Sequence, residues 1–322
     1  MFYHKTVLQH ELVSGVITPY TKIAVDCTAG GGGHTKELLD LIAANDKFVI
    51  AIDRDTIACE HLKLKFQNEI KSSKLIVVNQ PFSELRGIIS ELNLIGKIDA
   101  IIADLGVSSP QLDNPERGFS FNNDGPLDMR MDSSLSITAS DVVNSFGEKE
   151  IADILWQYGE DPKSRFIAKR ICEYRTQSKF TSTVQLANLI AKSKHNNKKP
   201  QRKHPATQAF QALRIYVNRE LDELNTLLIS GIECLSESGR LGIISFHSLE
   251  DRMVKKYFKK ISSSSNTIPN DVPLTAIELA KYENITCKIV HPFPIEPSQI
   301  EIEENPRSRS AKLRIIQKIT AP

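Results

Sequence analysis

The 322-residue sequence predicts an α/β protein with a doubly wound, mostly parallel sheet interrupted by a helical insertion. Three observations lead there. Four short apolar runs alternate with helical stretches in the first hundred residues. Each run is continuously apolar, as in a strand buried on both faces. The alternation then stops for about a hundred residues before a fifth apolar run resumes it.

The first four strands are predicted at 23–25, 48–52, 75–78 and 98–103. Helices follow Thr35, Thr56 and Ser83. From Gln111 to Thr138 the chain is rich in Asp, Asn, Gly, Pro and Ser, a long loop of the kind that usually carries function. Residues 140–194 read as helical. Phe210, Leu213, Val217, Leu221, Leu224 and Leu228 then recur at helical spacing, one apolar stripe of a single long helix ended by Gly239. The fifth strand is expected at 241–245, a surface loop after Ser262, and a last strand at 311–316. The expected organisation is therefore a first sheet segment at 1–112, an insertion at 113–210 and a second sheet segment at 211–322.

Composition narrows the class. Hydrophobic residues make up 40% and charged residues 25%, enough to bury a core and too apolar for a disordered chain. The net charge of +2 is too small to argue for nucleic acid or membrane, so any such case needs a local cluster. Cys27, Cys59, Cys172, Cys234 and Cys287 are odd in number and show no redox or zinc spacing. With no signal-like or membrane-spanning apolar run, the expectation is a cytoplasmic protein away from the membrane.

The chemistry gathers at the ends of the predicted strands. The first ends in Asp26-Cys27-Thr28-Ala29-Gly30-Gly31-Gly32-Gly33-His34, where a ligand can approach the backbone and the next helix offers free N–H groups. The second ends at Asp53, 23 residues after Gly30, about the separation at which an acid meets a ribose hydroxyl pair. Together they suggest an adenosine-containing ligand. No register fits Gly-x-Gly-x-x-Gly, which argues against a nicotinamide oxidoreductase, and no P-loop is present here. Asp26 suits a ligand with an amino-acid ammonium group, as in S-adenosylmethionine. A purely structural turn is the alternative. The fourth strand ends at Asp104-Leu105-Gly106-Val107-Ser108-Ser109-Pro110-Gln111, where Asp104 is a candidate to hold a target amine, or else a cap of the next turn.

At this point the sequence resembles a known family. The resemblance rests on His4-Lys5-Thr6-Val7-Leu8, the glycine turn, the Asp104–Gln111 block, Glu116-Arg117-Gly118-Phe119-Ser120-Phe121, the run from Asp124 to Asp132, His204-Pro205-Ala206-Thr207, the run from Ser245 to Arg252, and the run from Asn305 to Ser310. These look like the bacterial 16S ribosomal RNA cytosine-N4 methyltransferases of the MraW or RsmH type, in order along nearly the whole chain. The resemblance implies a class I, Rossmann-like methyltransferase sheet. It implies direct in-line transfer of a methyl group from S-adenosylmethionine to N4 of a decoding-centre cytidine. It also implies cofactor contacts by Gly32, Gly33, His34, Asp53, Phe82, Asp104 and Gln111, with Asp53 on the ribose and Phe82 beside the adenine. The partner is 16S ribosomal RNA in the small subunit or a late precursor, and a homodimer is compatible with the sequence.

Further candidates come from the insertion and the fifth strand. Phe119 and Phe121 are candidates to stack a splayed-out base and Arg130 to meet a phosphate or base edge, with loop tethering and an ion pair to Asp128 or Asp132 as the structural alternatives. The run from Lys192 to Lys203 holds six basic residues and no acid, and makes Lys194, Lys198, Lys199, Arg202 and Lys203 candidate phosphate contacts. Lys163, Arg165, Lys169, Arg170 and Arg175 precede it. His247 is a second catalytic candidate beside Asp104. No histidine spacing supports a catalytic metal. An RNA-binding assembly factor without catalysis is the rival reading.

Overall fold

The apolar runs become β1 (Ile23–Asp26), β2 (Phe48–Asp53), β3 (Leu75–Asn79), β4 (Ile98–Asp104) and β5 (Leu235–Ser245) of a seven-stranded sheet. The sheet is completed by β6 (Cys287–Ile295) and β7 (Lys312–Lys318) in the order β3-β2-β1-β4-β5-β7-β6. This computed structural model describes residues 6–42, 46–194, 204–262 and 286–319. Strands β1 to β5 run parallel, and β7 runs antiparallel to both β5 and β6. The chain builds β1, β2 and β3 outwards, then returns to place β4 on the other side of β1. That reversal is the topological switch point at which such sheets bind ligands. Three of the strands end on an acid at this edge: Asp26, Asp53 and Asp104.

Alternate strand residues feed two cores, one on each face of the sheet. One packs Val25, Ile50, Ile101 and Ile243 with Leu224, Leu228 and Phe258. The other packs Ala24, Val49, Ile102 and Ile315 with Leu12 and Val13. Burying each such Leu, Ile or Val stabilises the fold by about 1.5–3 kcal/mol relative to exposure. This two-sided burial is why the runs read as continuously apolar.

Contacts divide the described residues into two units, with Val107–Leu221 as one and the sheet with its helices as the other. The insertion is thus wider than the expected 113–210. Helices Ala139–Ser145, Glu148–Gln157, Ser164–Arg175, Thr183–Lys194 and Thr207–Asn218 enclose its own core of Met129, Val142, Ile151, Ile167, Leu186, Phe210 and Leu213. The predicted single long helix is two. It breaks at Arg219, which adopts φ 52°, between Thr207–Asn218 and Glu220–Cys234. Phe210, Leu213 and Val217 pack in the insertion core, whereas Leu224 and Leu228 pack beneath the sheet. One stripe therefore serves two cores.

Two other expectations change. Strand β6 was not predicted, because Pro292 and Pro294 within it remove ladder donors; it is tolerated as the edge strand. The loop from Gln111 to Thr138 is irregular but fixed. Asn218 is buried and accepts from the Met131 N–H at 2.7 Å while donating to the Met129 carbonyl at 2.8 Å. Gly118, at φ 70°, packs so closely that a Cβ there would lie 2.1 Å from the Pro126 carbonyl oxygen. No described helix is long and apolar enough to cross a membrane.

Candidate active site

The glycine turn is held from several sides. Hydrogen bonds continue past β1, from the Cys27 N–H to the Ile102 carbonyl and from the Ala29 N–H to the Ile52 carbonyl. Asp26 lies fully buried below, accepting from the Thr28 N–H at 3.1 Å and the Thr35 hydroxyl at 2.7 Å. Its role is thereby corrected. With both oxygens engaged inside the protein, it organises the turn rather than offering a surface to an ammonium group. Gly32 takes φ 73°, and a Cβ would come within 2.7 Å of Leu62 and Phe66. The glycine is required by packing from the helix Thr56–Lys65 and its C-cap Phe66 as much as by any ligand.

Asp53 clamps the same turn. Its Oδ2 accepts from the Gly30 N–H at 2.7 Å and its Oδ1 from the Asp55 N–H at 2.8 Å. Burial pushes the carboxyls of Asp26 and Asp53 up to about 6 each, against the hydrogen bonds that lower them. Phe82 opens a short 3-10 turn after β3 and is half-buried against the sheet core.

Asp104 closes β4. Its N–H donates to the Thr28 hydroxyl at 2.7 Å, tying the glycine turn to the β4 end. Its Oδ1 is shielded from water and has no hydrogen-bond partner among the described residues, although 13% of the side chain remains accessible. Burial, and then the nearby carboxylates Asp26, Glu250 and Glu301, hold its carboxyl well above the usual range. His34 is buried beside it. The ring Nε2 lies 3.2 Å from the Val7 carbonyl, which can only accept, so Nε2 carries hydrogen. Nδ1 then faces Asp104 Oδ2 at 3.8 Å. Attraction there needs one shared proton, on either the imidazole or the carboxyl.

These residues fit a ligand that brings positive charge and hydroxyl donors: a glycine turn, a strand-end carboxylate above it, and a shielded carboxylate oxygen without a donor. Sequence reasoning missed Thr28, Thr35 and Val7. Their side-chain and carbonyl roles appear only when β1, β4 and the N-terminal segment come together.

The other candidates are placed as follows. Gln111 is buried in the insertion unit and forms a capping box with Ser108, its Oε1 accepting from the Ser108 N–H at 3.0 Å. His247 stands at the start of Ser248–Ser262, where its Nδ1 faces the Glu250 N–H at 3.5 Å and its Nε2 lies 3.1 Å from Glu250 Oε1. Phe119 is buried in the insertion core, so it is a tether rather than a stacking platform. Phe121 is half-buried with its ring 4.6 Å from His204 and 4.8 Å from Phe210. Arg130 is committed to Asp128 by two bonds of 2.9 and 2.7 Å, and donates to the Ser133 and Leu135 carbonyls. Lys194 is corrected as well. It is buried, pairs with Asp161 and donates to the Pro205 carbonyl at 2.8 Å, so it holds the insertion together and is not a free phosphate contact. Lys198, Lys199, Arg202 and Lys203 lie outside the described residues.

The MraW methylase family matches residues 1–319. Ribosomal RNA small subunit methyltransferase H of Shewanella denitrificans is 42% identical over 321 residues, covering 99% of this chain and 98% of that one. The protein of the same name from Caldicellulosiruptor saccharolyticus is 45% identical over 322 residues, covering 99% of this chain and all of its own. The glycine turn and strand-end acids thus stand in a sequence matched from end to end, and the chain belongs to the MraW methylase family.

Proposed function

We propose that the protein uses S-adenosylmethionine to methylate N4 of a single decoding-centre cytidine in small-subunit ribosomal RNA. The observation that carries the chemistry is Asp104, a shielded carboxylate at the switch point with one oxygen lacking a donor. When bound, S-adenosylmethionine supplies a methyl group on a positively charged sulfur that leaves as a neutral thioether. We assign Gly32, Gly33, His34, Asp53 and Phe82 to hold it, with Asp53 on the ribose. The exocyclic amine of cytosine is a weak nucleophile because its lone pair is delocalised into the ring. Asp104 accepts an N–H of that amine, favours a pyramidal nitrogen and takes the proton once the new N–C bond has formed. His34 lies beside Asp104, its Nδ1 3.8 Å from Oδ2. The lowered polarity around these groups strengthens each interaction.

The test uses methyl-labelled S-adenosylmethionine and small subunits from cells lacking this protein. Digested RNA is read by mass spectrometry. Label on N4 of one cytidine is the expected result. Label on another base, or none while the cofactor still binds, would overturn the assignment in favour of another acceptor or of an assembly factor without catalysis.

A further inference from the structure

We propose that the tip of the hairpin formed by Glu148–Gln157 and Ser164–Arg175 is a docking platform for unpaired RNA, built from Trp156, Phe166, Lys163 and Arg165. This rests on the reading of RNA as substrate and adds a second grip on it. Trp156 lies in the last turn of the first helix and is 59% exposed; Phe166 lies in the first turn of the second and is 50% exposed. The inner faces of both helices are occupied, with Ile151, Leu155, Ile167 and Ile171 buried in the core. The two aromatic rings stand outside that core.

The charge around them selects the partner. Residues 162–170 carry Lys163, Arg165, Lys169 and Arg170 and no acid. Arg170 is held by Glu173 at 2.8 Å, and Lys169 lies 4.0 Å from the same carboxylate. Lys163 and Arg165 are exposed and form no ion pair among the described residues. Asp153, one turn before Trp156, and Glu160 bound the platform with negative charge. The core of a protein interface is depleted of charge, whereas single-stranded RNA asks for aromatic rings beside cations. Arg165 and Trp156 supply a stacking guanidinium and a stacking ring, and Lys163 a point charge for phosphate.

The turn that joins the two helices is tied down by hydrogen bonds and an ion pair. Asp161 accepts from the Lys163 N–H at 3.0 Å and pairs with buried Lys194, while the Tyr158 carbonyl accepts from Gln211 at 3.3 Å. The ammonium of Lys194 also binds the Pro205 carbonyl. Lys194 and Pro205, on either side of the basic run, are thus both tied to Asp161 of this turn, although the platform uses none of that run. A preorganised tip loses little freedom when RNA docks.

Trp156 is the only tryptophan in the sequence, so its emission reports on this surface alone. The full-length protein is titrated with an unstructured pyrimidine RNA of about 12 nucleotides, while the anisotropy of the same labelled RNA is followed in parallel. Quenching of the tryptophan with the midpoint of the anisotropy change is expected. Both should weaken between about 50 and 200 mM salt. The triple variant Lys163→Glu, Arg165→Glu, Phe166→Ala should bind RNA about tenfold more weakly or worse. Its KM for small subunits should rise while kcat, thermal midpoint and cofactor affinity hold. RNA binding with unchanged emission, no RNA binding at all, or emission that follows protein concentration without RNA would each overturn the platform, the last in favour of a second protein copy. An unmodified protein that methylates no subunit would instead fail the substrate reading, which the parent enzyme reports by itself.

Discussion

Asp104 is the residue on which the proposed chemistry turns, and its neighbours explain why an ordinary aspartate is unusual there. Its own N–H is spent on Thr28, its Oδ1 meets no donor among the described residues, and its Oδ2 faces an imidazole whose other nitrogen lies against the Val7 carbonyl. Asp104→Asn keeps the size of the side chain and the Thr28 bond, but cannot take a proton. The expected result is a loss in kcat of roughly 10²–10⁴-fold with an unchanged thermal midpoint. Stopped single-turnover assays on small subunits would check it; a kcat within a few-fold of the parent would remove Asp104 from proton transfer. Such a residue was legible in the sequence by place, at the end of an apolar run, and not by partner. Thr28 and Val7 are 76 and 97 residues away along the chain, a separation that no local spacing reveals. The converse failure is Lys194, which reads as one more cation in a basic run and is instead a buried half of an ion pair.

That ion pair acts at the scale of elements. Lys194 ends the helix Thr183–Lys194, Asp161 sits in the turn before Ser164–Arg175, and the Pro205 carbonyl and Gln208 bring in the start of Thr207–Asn218. Lys194→Met leaves Asp161 charged and enclosed without its cation. A cost of about 3–5 kcal/mol to the insertion unit is expected from breaking one side of a buried pair. Adding Asp161→Asn should recover much of it, because the stranded charge goes. Urea unfolding of the single and double variants would check both steps. A Lys194→Met protein of parental stability but weakened RNA binding would return this lysine to the phosphate contacts. Elements were read well where one rule governed them. The five parallel strands come from apolar runs, and three of them, β1, β2 and β4, run on to an acid at the switch-point edge. They were misread where two rules met. The stripe from Phe210 to Leu228 keeps helical period across the break at Arg219, since both halves bury an apolar face, in different cores. β6 was hidden by prolines that only an edge position admits.

For the molecule as a whole, three carboxyls brought to one sheet edge make binding and pH inseparable. Burial raises Asp26 and Asp53 to about 6, and holds Asp104 well above the usual range. In the unfolded chain these groups lose their protons near pH 4. Between there and pH 6 the folded state holds more protons than the unfolded one, so their contribution to stability is full below about pH 4 and is lost as pH rises through about 6. A ligand with positive charge and hydroxyl donors reverses the preference, because both favour the ionised carboxylate. Binding of S-adenosylmethionine should therefore release protons near pH 6. Its affinity should rise from about pH 5 to pH 7 and then level off as Asp53, the carboxyl assigned to the ribose, becomes ionised before binding. Titration calorimetry in two buffers of different ionisation heat gives the proton count directly. The thermal midpoint of the free protein should fall over the same interval, and the gap between free and loaded protein should widen. Proton uptake on binding, or an affinity flat from pH 5 to 7, would mean that the ligand does not sense these carboxylates. The strand-end acids would then serve only to hold the glycine turn.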